Sequence, residues 1–264
     1  MCAVEADPVG VYIAAFRARC DHMRRPGHSL IDEPGVHGLR SARDDSFARL
    51  LVSDDRAHDT LEALLPEASA AGMICVFAAA ERCAELVRRR LAWRPDPAIA
   101  MACDDLRAVP ALPLSHELTL RPVRRLPADP PDGVPLEDAA AAAMKAAPGI
   151  SDPPDAFAAY LRSLPAPFRF FAAVDADGAV RATSASGSFG AEATVIFVNT
   201  DPGWRRRGIA QAMTVAALYA AQDSGARRAG LDASEAGPRI YLRLGFEVVT
   251  QVTRFFPNRA MASR

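Results

Sequence analysis

Between residues 198 and 210 the chain reads Val198-Asn199-Thr200-Asp201-Pro202-Gly203-Trp204-Arg205-Arg206-Arg207-Gly208-Ile209-Ala210. An apolar run, Val195 to Val198, leads into this stretch, and a long apolar segment of helical spacing follows it. A strand that stops at Pro202 and a helix that opens at Gly208 leave a loop of unpaired backbone N–H groups. Those donors and the positive end of the helix dipole favour an anion, and a pyrophosphate fits such a cradle. Gly208 and Ala210 remove side-chain bulk, so phosphate oxygens can approach the backbone. Arg205, Arg206 and Arg207 add positive charge beside it. The competing reading of the loop is an arginine-rich helix start with no ligand.

Arg205-x-x-Gly208-x-Ala210, preceded by Val198-x-Thr200-x-Pro202, resembles the acetyl-CoA-binding signature of the GCN5-related N-acetyltransferases. The stretch from Leu231 to Phe246 is similar to a later motif of that family, in which a strand end supplies a polar residue and a short helix presents a tyrosine before Leu244-Gly245-Phe246. The resemblance covers about residues 117–256. It implies an α+β fold with a central twisted mixed sheet flanked by helices. It also implies that the strand at 194–198 splays from the strand at 228–233. The pantetheine arm of acetyl-CoA would enter that gap and pair with backbone near Phe197, Val198 and Thr200, while residues 205–210, Ile209 included, hold the pyrophosphate.

The same resemblance implies a reaction in which a primary amine attacks the thioester directly, with no acyl-enzyme and no metal. Tyr241 stands where the family keeps its general acid, which protonates the leaving thiolate; an ordinary phenol pKa of about 10 suits that task. Ser234 occupies a place where many members carry Asn, and it can hydrogen-bond cofactor or a bound water. The amine must lose a proton. Glu192 lies six residues before Val198, and even spacing puts both on one strand face if the strand extends back that far. It is a candidate base, although the family places its glutamate nearer Thr194; deprotonation through water is the default.

Positioning these groups takes a particular order of elements. In the second half the patterns predict strands at 118–123, 168–174, 179–188, 194–198, 228–233, 246–249 and 251–256, and helices at 136–147, 155–163, 208–223 and 238–244. Asp175-Ala176-Asp177-Gly178 is a hairpin turn signal. The first half predicts a helix at 7–23, strands near 38–41 and 49–52, a helix at 58–70, a strand at 73–77, a helix at 81–91 and a strand at 99–103. The similar order in both halves points to tandem related domains. Val109-Pro110-Ala111-Leu112-Pro113 reads as the connector, giving domains at 1–115 and 116–264. The proline-rich run at 127–135 reads as a loop, either plainly solvated or a lid over substrate.

The first half lacks the cradle. After Leu50-Leu51-Val52 comes Ser53-Asp54-Asp55-Arg56-Ala57-His58-Asp59, with no glycine and with acids that would repel phosphates. It reads as a degenerate domain that shapes a substrate cleft or a dimer contact. Arg88-Arg89-Arg90 reads as a solvated helix face.

Composition bounds the partners. The formal charge of −1 argues against a general nucleic-acid binder and against a polybasic membrane protein. Residues 201–264 nevertheless carry 10 Arg against 5 acids, which fits a local anion site. Met73 to Ala80, the longest apolar run, is far short of the roughly 20 residues a membrane span needs, and the acidic start Met-Cys-Ala-Val-Glu-Ala-Asp is no signal peptide. Five cysteines in no C-x-x-C pair read as free thiols of a cytoplasmic protein. The expected partners are acetyl-CoA and a small-molecule amine, with the chain a monomer or homodimer. The alternatives are a non-catalytic acyl-CoA sensor and an acetyltransferase of a protein lysine or amino terminus.

Overall fold

The computed structural model describes residues 7–24, 26–41, 47–65, 72–127, 129–146 and 154–257. In chain order its elements begin α1 (Pro8–Met23), β1 (His28–Glu33), β2 (Val36–Ser41), β3 (Phe47–Val52), α2 (His58–Leu64), β4 (Ile74–Phe77), α3 (Glu81–Arg90) and β5 (Arg94–Cys103). They continue with β6 (Thr119–Arg124), β7 (Val134–Pro135), α4 (Leu136–Ala146), α5 (Pro154–Ser163), β8 (Phe168–Val174), β9 (Val180–Phe189) and β10 (Glu192–Thr200). Last come α6 (Ile209–Asp223), β11 (Arg228–Ala233), α7 (Pro238–Leu242) and β12 (Glu247–Phe256).

Contacts divide the chain into two compact units, and neither is one continuous stretch. The first takes Met1–Ala102, Asp232–Pro238 and Glu247–Arg264; the second takes Cys103–Leu231 and Arg239–Phe246. This differs from a single cut at residue 115. Prolines mark where backbone leaves regular structure, but they say nothing about which sheet a later strand joins.

In the first unit the strand order is β1-β2-β3-β4-β12-β5. β12 runs antiparallel to both neighbours, pairing Val252–Phe255 with Phe77–Ile74 and Glu247–Phe256 with Ala102–Arg94. Side chains alternate between the two sheet faces. Leu50, Val52, Ile74, Val76 and Phe255 meet α2 and α3 on one face. Leu51, Cys75, Phe77 and Val252 meet Val11, Tyr12 and Phe16 of α1 on the other. α1 opens where Asp7 accepts a hydrogen bond from the Val9 amide at 3.1 Å, with Pro8 in the first turn. Tyr12 donates its hydroxyl to Asp232 at 2.5 Å.

Several elements depart from the sequence patterns. β1 is unpredicted because it is an edge strand, mostly exposed, and carries no apolar alternation. β5 starts five residues early, since Pro95 and Pro97 read as breakers yet stand in the strand. The two predicted terminal strands are one, β12, with a register irregularity between Val248 and Thr250. α2 ends at Leu64 and α7 at Leu242, each short of its predicted limit, and residues 66–70 lie outside the described set.

In the second unit the order is β11-β10-β9-β8-β6-β7, antiparallel except for β10–β11 and the two-residue β6–β7 pairing inside the proline-rich loop. Ala173, Ala182, Ile209 and Met213 pack β8 and β9 against α6. Phe157 and Leu161 of α5, with Ala139 and Ala143 of α4, close over Phe170 and Thr183 of the same two strands. Each unit is thus a mixed sheet with helices on it.

Candidate active site

The site begins where two parallel strands part. β10 and β11 pair only at Glu192–Arg228, Ala193–Ala229 and Thr194–Gly230, although β10 continues to Thr200. Beyond Thr194 the β10 edge that faced β11 pairs with no described strand, and an unpaired strand edge can bond an extended, amide-bearing ligand. On the other edge β10 bulges, with a register shift between Ile196 and Asn199 opposite Ala185 and Thr183. Phe197 sits at that bulge with φ of 55°, a left-handed conformation costly for an aromatic residue. Thr183 Oγ1 donates to the Phe197 carbonyl at 3.1 Å, and the rings of Phe157 and Tyr160 stand edge-on to Phe197 at 5.3 and 6.4 Å. These contacts over-determine the strained residue.

The cradle follows. Asp201 closes a short turn by accepting from the Gly203 amide at 2.9 Å; that bond and Lys145, 3.1 Å away, hold its carboxyl below the usual range. Arg206 and Gly208 both take positive φ, 66° and 76°, the left-handed backbone from which anion-binding nests are built. Gly208 is the cap of α6, and no side chain caps that end, in contrast to Asp7 on α1. The helix's first backbone bond runs from Ala212 N–H to the Gly208 carbonyl at 3.1 Å. The amides from Gly208 to Gln211 therefore remain for a ligand. A Cβ built on Gly208 would meet no atom within 4 Å, so the space over this cap is open.

The three arginines do different work. Arg205 is a brace: Nε donates to the Thr200 carbonyl at 3.2 Å and Nη2 to the Ala146 carbonyl at 2.8 Å. Arg207 pairs with Glu117 at 3.2 Å and lies over the Trp204 ring at 4.9 Å. Both partners of that pair are about half exposed, so little energy holds it closed. Arg206 is exposed and, among the described residues, has no ion pair or hydrogen bond to protein. Ile209 buries its side chain in one cluster with Met213. Thr200 buries its hydroxyl without a partner among the described residues, and its carbonyl is taken by Arg205. Val198 is half-buried on the open part of β10.

Of the residues proposed for proton transfer, Tyr241 is buried on α7, its ring 5.9 Å from Phe246. Burial pushes its phenol up to about 12. Among the described residues its hydroxyl has no hydrogen-bond partner. Ser234 is exposed just past β11, its carbonyl accepting from the Gly237 amide at 2.8 Å. Glu192 is buried at the opposite end of β10, where it accepts a hydrogen bond from Arg228. Six residues of strand, about 20 Å, separate it from Val198. The structure thus gathers Phe197, Val198 and the loop 205–210 at one end of β10 and leaves Glu192 at the other. No sequence signal marks Thr183, Phe157 or Glu117, which act only through tertiary contact.

In the first unit the loop after β3 carries acids bonded within the protein. Asp54 accepts from the Arg56 amide and Nε, both at 2.9 Å, and from Arg56 Nη2 at 2.8 Å. The Arg56 guanidinium draws the Asp54 carboxyl down to about 2. Asp55 in turn accepts from the Cys83 amide in the first turn of α3. The described cysteines, Cys20, Cys75, Cys83 and Cys103, are all buried, and burial raises the thiols of Cys20 to about 11 and of Cys83 to about 12, with Cys75 higher still. None is poised as a nucleophile.

No family model matches this chain, and no curated protein does. Solved structures do. The chain is similar to a GCN5-related N-acetyltransferase from Kribbella flavida, at 18% identity and TM-score 0.56, over 96% of each chain. It is similar to another from Sphaerobacter thermophilus, at 17% identity and TM-score 0.54, over 94% of this chain and 91% of that one. A tandem protein of the same fold from the clavulanic acid biosynthesis pathway matches at 13% identity and TM-score 0.51, over 97% of this chain and 96% of that one. The fold of this chain is the fold of the GCN5-related N-acetyltransferases, along nearly its whole length. No described helix is long and apolar enough to cross a membrane.

Proposed function

We propose that this chain is an acetyl-CoA-dependent N-acetyltransferase of the GCN5-related family, transferring an acetyl group directly to a primary amine of a small molecule. In this reading residues 116–264 carry catalysis, and residues 1–115 descend from the same fold but have lost the cofactor loop. One observation carries it: an uncapped, glycine-opened helix start lies just beyond a strand that has parted from its neighbour. The first suits a pyrophosphate, and the second suits a peptide-like arm.

The residues fit acetyl-CoA. The amides of Gly208 to Gln211 would take the pyrophosphate, with Arg206 free to swing onto it and Arg207 able to leave Glu117. Arg205 would keep the loop in shape, and the β10 backbone near Phe197, Val198 and Thr200 would pair with the arm. Acetyl-CoA supplies the activated thioester. Tyr241, protonated throughout the physiological range, donates a hydrogen bond to the departing thiolate. The inert thiols agree with direct attack. Glu192 is tied to Arg228 far from the bulge, so water removes the amine's proton, and Ser234 is left as a peripheral contact.

Calorimetric titration with acetyl-CoA tests the cofactor, with one site per chain expected. Thiol release across a panel of small amines tests the transfer. A chain that binds acetyl-CoA yet releases no thiol with any amine would instead be a sensor, and the transferase reading would fall.

A further inference from the structure

Arg207 is the last residue before the cap of α6, and two groups of the protein hold its side chain. Its guanidinium pairs with Glu117 at 3.2 Å and lies 4.9 Å from the centre of the Trp204 ring. The guanidinium of Arg181 lies 5.5 Å from the same ring and is itself tied to Asp175 at 2.6 Å. Lys145 is tied to Asp201 at 3.1 Å. Among the described residues of the turn, only Arg206 keeps its charge clear of protein partners.

Glu117 is carried to this place by its neighbour. Leu118 buries its side chain in one cluster with Ile209 and Met213, in the first turns of α6, and its amide closes a turn onto the Ser115 carbonyl at 2.9 Å. A carboxylate therefore stands beside the start of a helix that no side chain caps, where negative charge is favoured. The planar fork of an arginine fits a phosphate as well as it fits a carboxylate. Glu117 and Arg207 are both about half exposed, and an exposed pair is weak enough for a more highly charged anion to open.

We propose that Glu117 is an intramolecular competitor of the cofactor: it holds Arg207 in the free chain, yields it to the incoming pyrophosphate and takes it back as the product leaves. This rests on the acetyltransferase reading, which puts the pyrophosphate at the α6 start. The competition is blind to the acyl group, because acetyl-CoA and free CoA carry the same phosphates. Glu117 thus lowers affinity for both and helps the spent cofactor to depart.

The test is a double-mutant cycle on the full chain. Acetyl-CoA and free CoA are titrated calorimetrically into the parent, Glu117→Gln, Arg207→Gln and the double variant, at low and at high salt. At low salt Glu117→Gln should tighten both ligands about two- to fivefold, the range open to an exposed pair. The gain should vanish in the Arg207→Gln background, and it should shrink at about 1 M salt, where charges are screened beyond about 3 Å. Melting curves confirm that each chain folds, and Glu117→Ala stands in if the glutamine variant does not. Unchanged or weaker binding by the folded Glu117 variant would overturn the proposal. So would an equal gain with and without Arg207, because Glu117 would then act by repulsion at a distance. A gain for acetyl-CoA with none for free CoA would overturn it as well. A parent that binds neither ligand would bring down the acetyltransferase reading first, and the competitor with it.

Discussion

Replacing Tyr241 with phenylalanine keeps the ring beside Phe246 and deletes one hydroxyl. A CoA thiol should titrate near an ordinary alkyl thiol, about 8.5. Against a phenol at about 12, full proton transfer is uphill by roughly 3.5 units, or about 5 kcal/mol. Tyr241 therefore helps mainly as a donor to the forming thiolate, and a hydrogen bond to a charged group is worth about 1.5–3 kcal/mol. Turnover should fall by about 10–100-fold, in kcat and kcat/KM alike, because the bond forms only as the thiolate departs. The acetyl-CoA dissociation constant should not change. Because the hydroxyl has no partner among the described residues, its loss should leave Tm unchanged or slightly raised. Alkaline stability gives a second readout. Burial raises the folded pKa above the unfolded value of 10, so the contribution is complete below pH 10 and is lost as pH rises towards about 12. Two units correspond to about 3 kcal/mol, and Tyr241→Phe should remove that part of the loss. Steady-state thiol release, titration and pH-dependent melting check these outcomes. A variant that melts normally, binds normally and turns over within threefold of the parent would remove Tyr241 from the chemistry.

Three other outcomes follow from the geometry. Gly208→Val should weaken acetyl-CoA binding more than tenfold, about 1.4 kcal/mol, by calorimetry; unchanged affinity would refute the cradle. Substitution of Arg56 or His58 should leave acetyl-CoA affinity unaltered and the stoichiometry at one, since that loop has no glycine and carries Asp54, Asp55 and Asp59, which repel phosphate; two sites per chain would contradict this. Glu192→Gln should lower Tm by weakening a buried charged hydrogen bond with Arg228, about 1–3 kcal/mol, while kcat stays within threefold. A large fall in kcat at unchanged Tm would restore Glu192 as a base.

The turn and helix start proposed as the cradle were legible because they are local. Only glycine takes the 76° φ of Gly208 without strain, and the arginines, proline and glycine that build the turn are neighbours in sequence. The splay was not legible from the residues themselves, since Val195 to Val198 read as an ordinary strand and nothing in them says that pairing with β11 stops at Thr194. It came only with the family resemblance. Phe197 is hidden for a stronger reason: an aromatic residue at positive φ runs against its own preference and is held by Phe157 and Tyr160, about 40 residues away. Arg205 looked like its two neighbours, yet its bond to the Ala146 carbonyl makes it a brace. β10 does extend back to Glu192, beyond the predicted strand, but spacing could not supply Arg228 as its partner or the register shift between it and Val198. β1 escaped because an exposed edge has no core to impose alternation.

The placement of β12 reaches into how the chain is made. This strand lies between β4 and β5, yet it is built from residues 247–256, some 145 residues after β5 has been synthesised. Until those residues leave the ribosome, the first unit has the four strands β1 to β4 and the single strand β5, with an unfilled place between β4 and β5. Unpaired strand edges are open to association with other chains. The amino-terminal unit, although translated first, must therefore finish folding last, through contacts of very long sequence separation that slow folding. A chain cut near residue 115 would leave that gap permanently open.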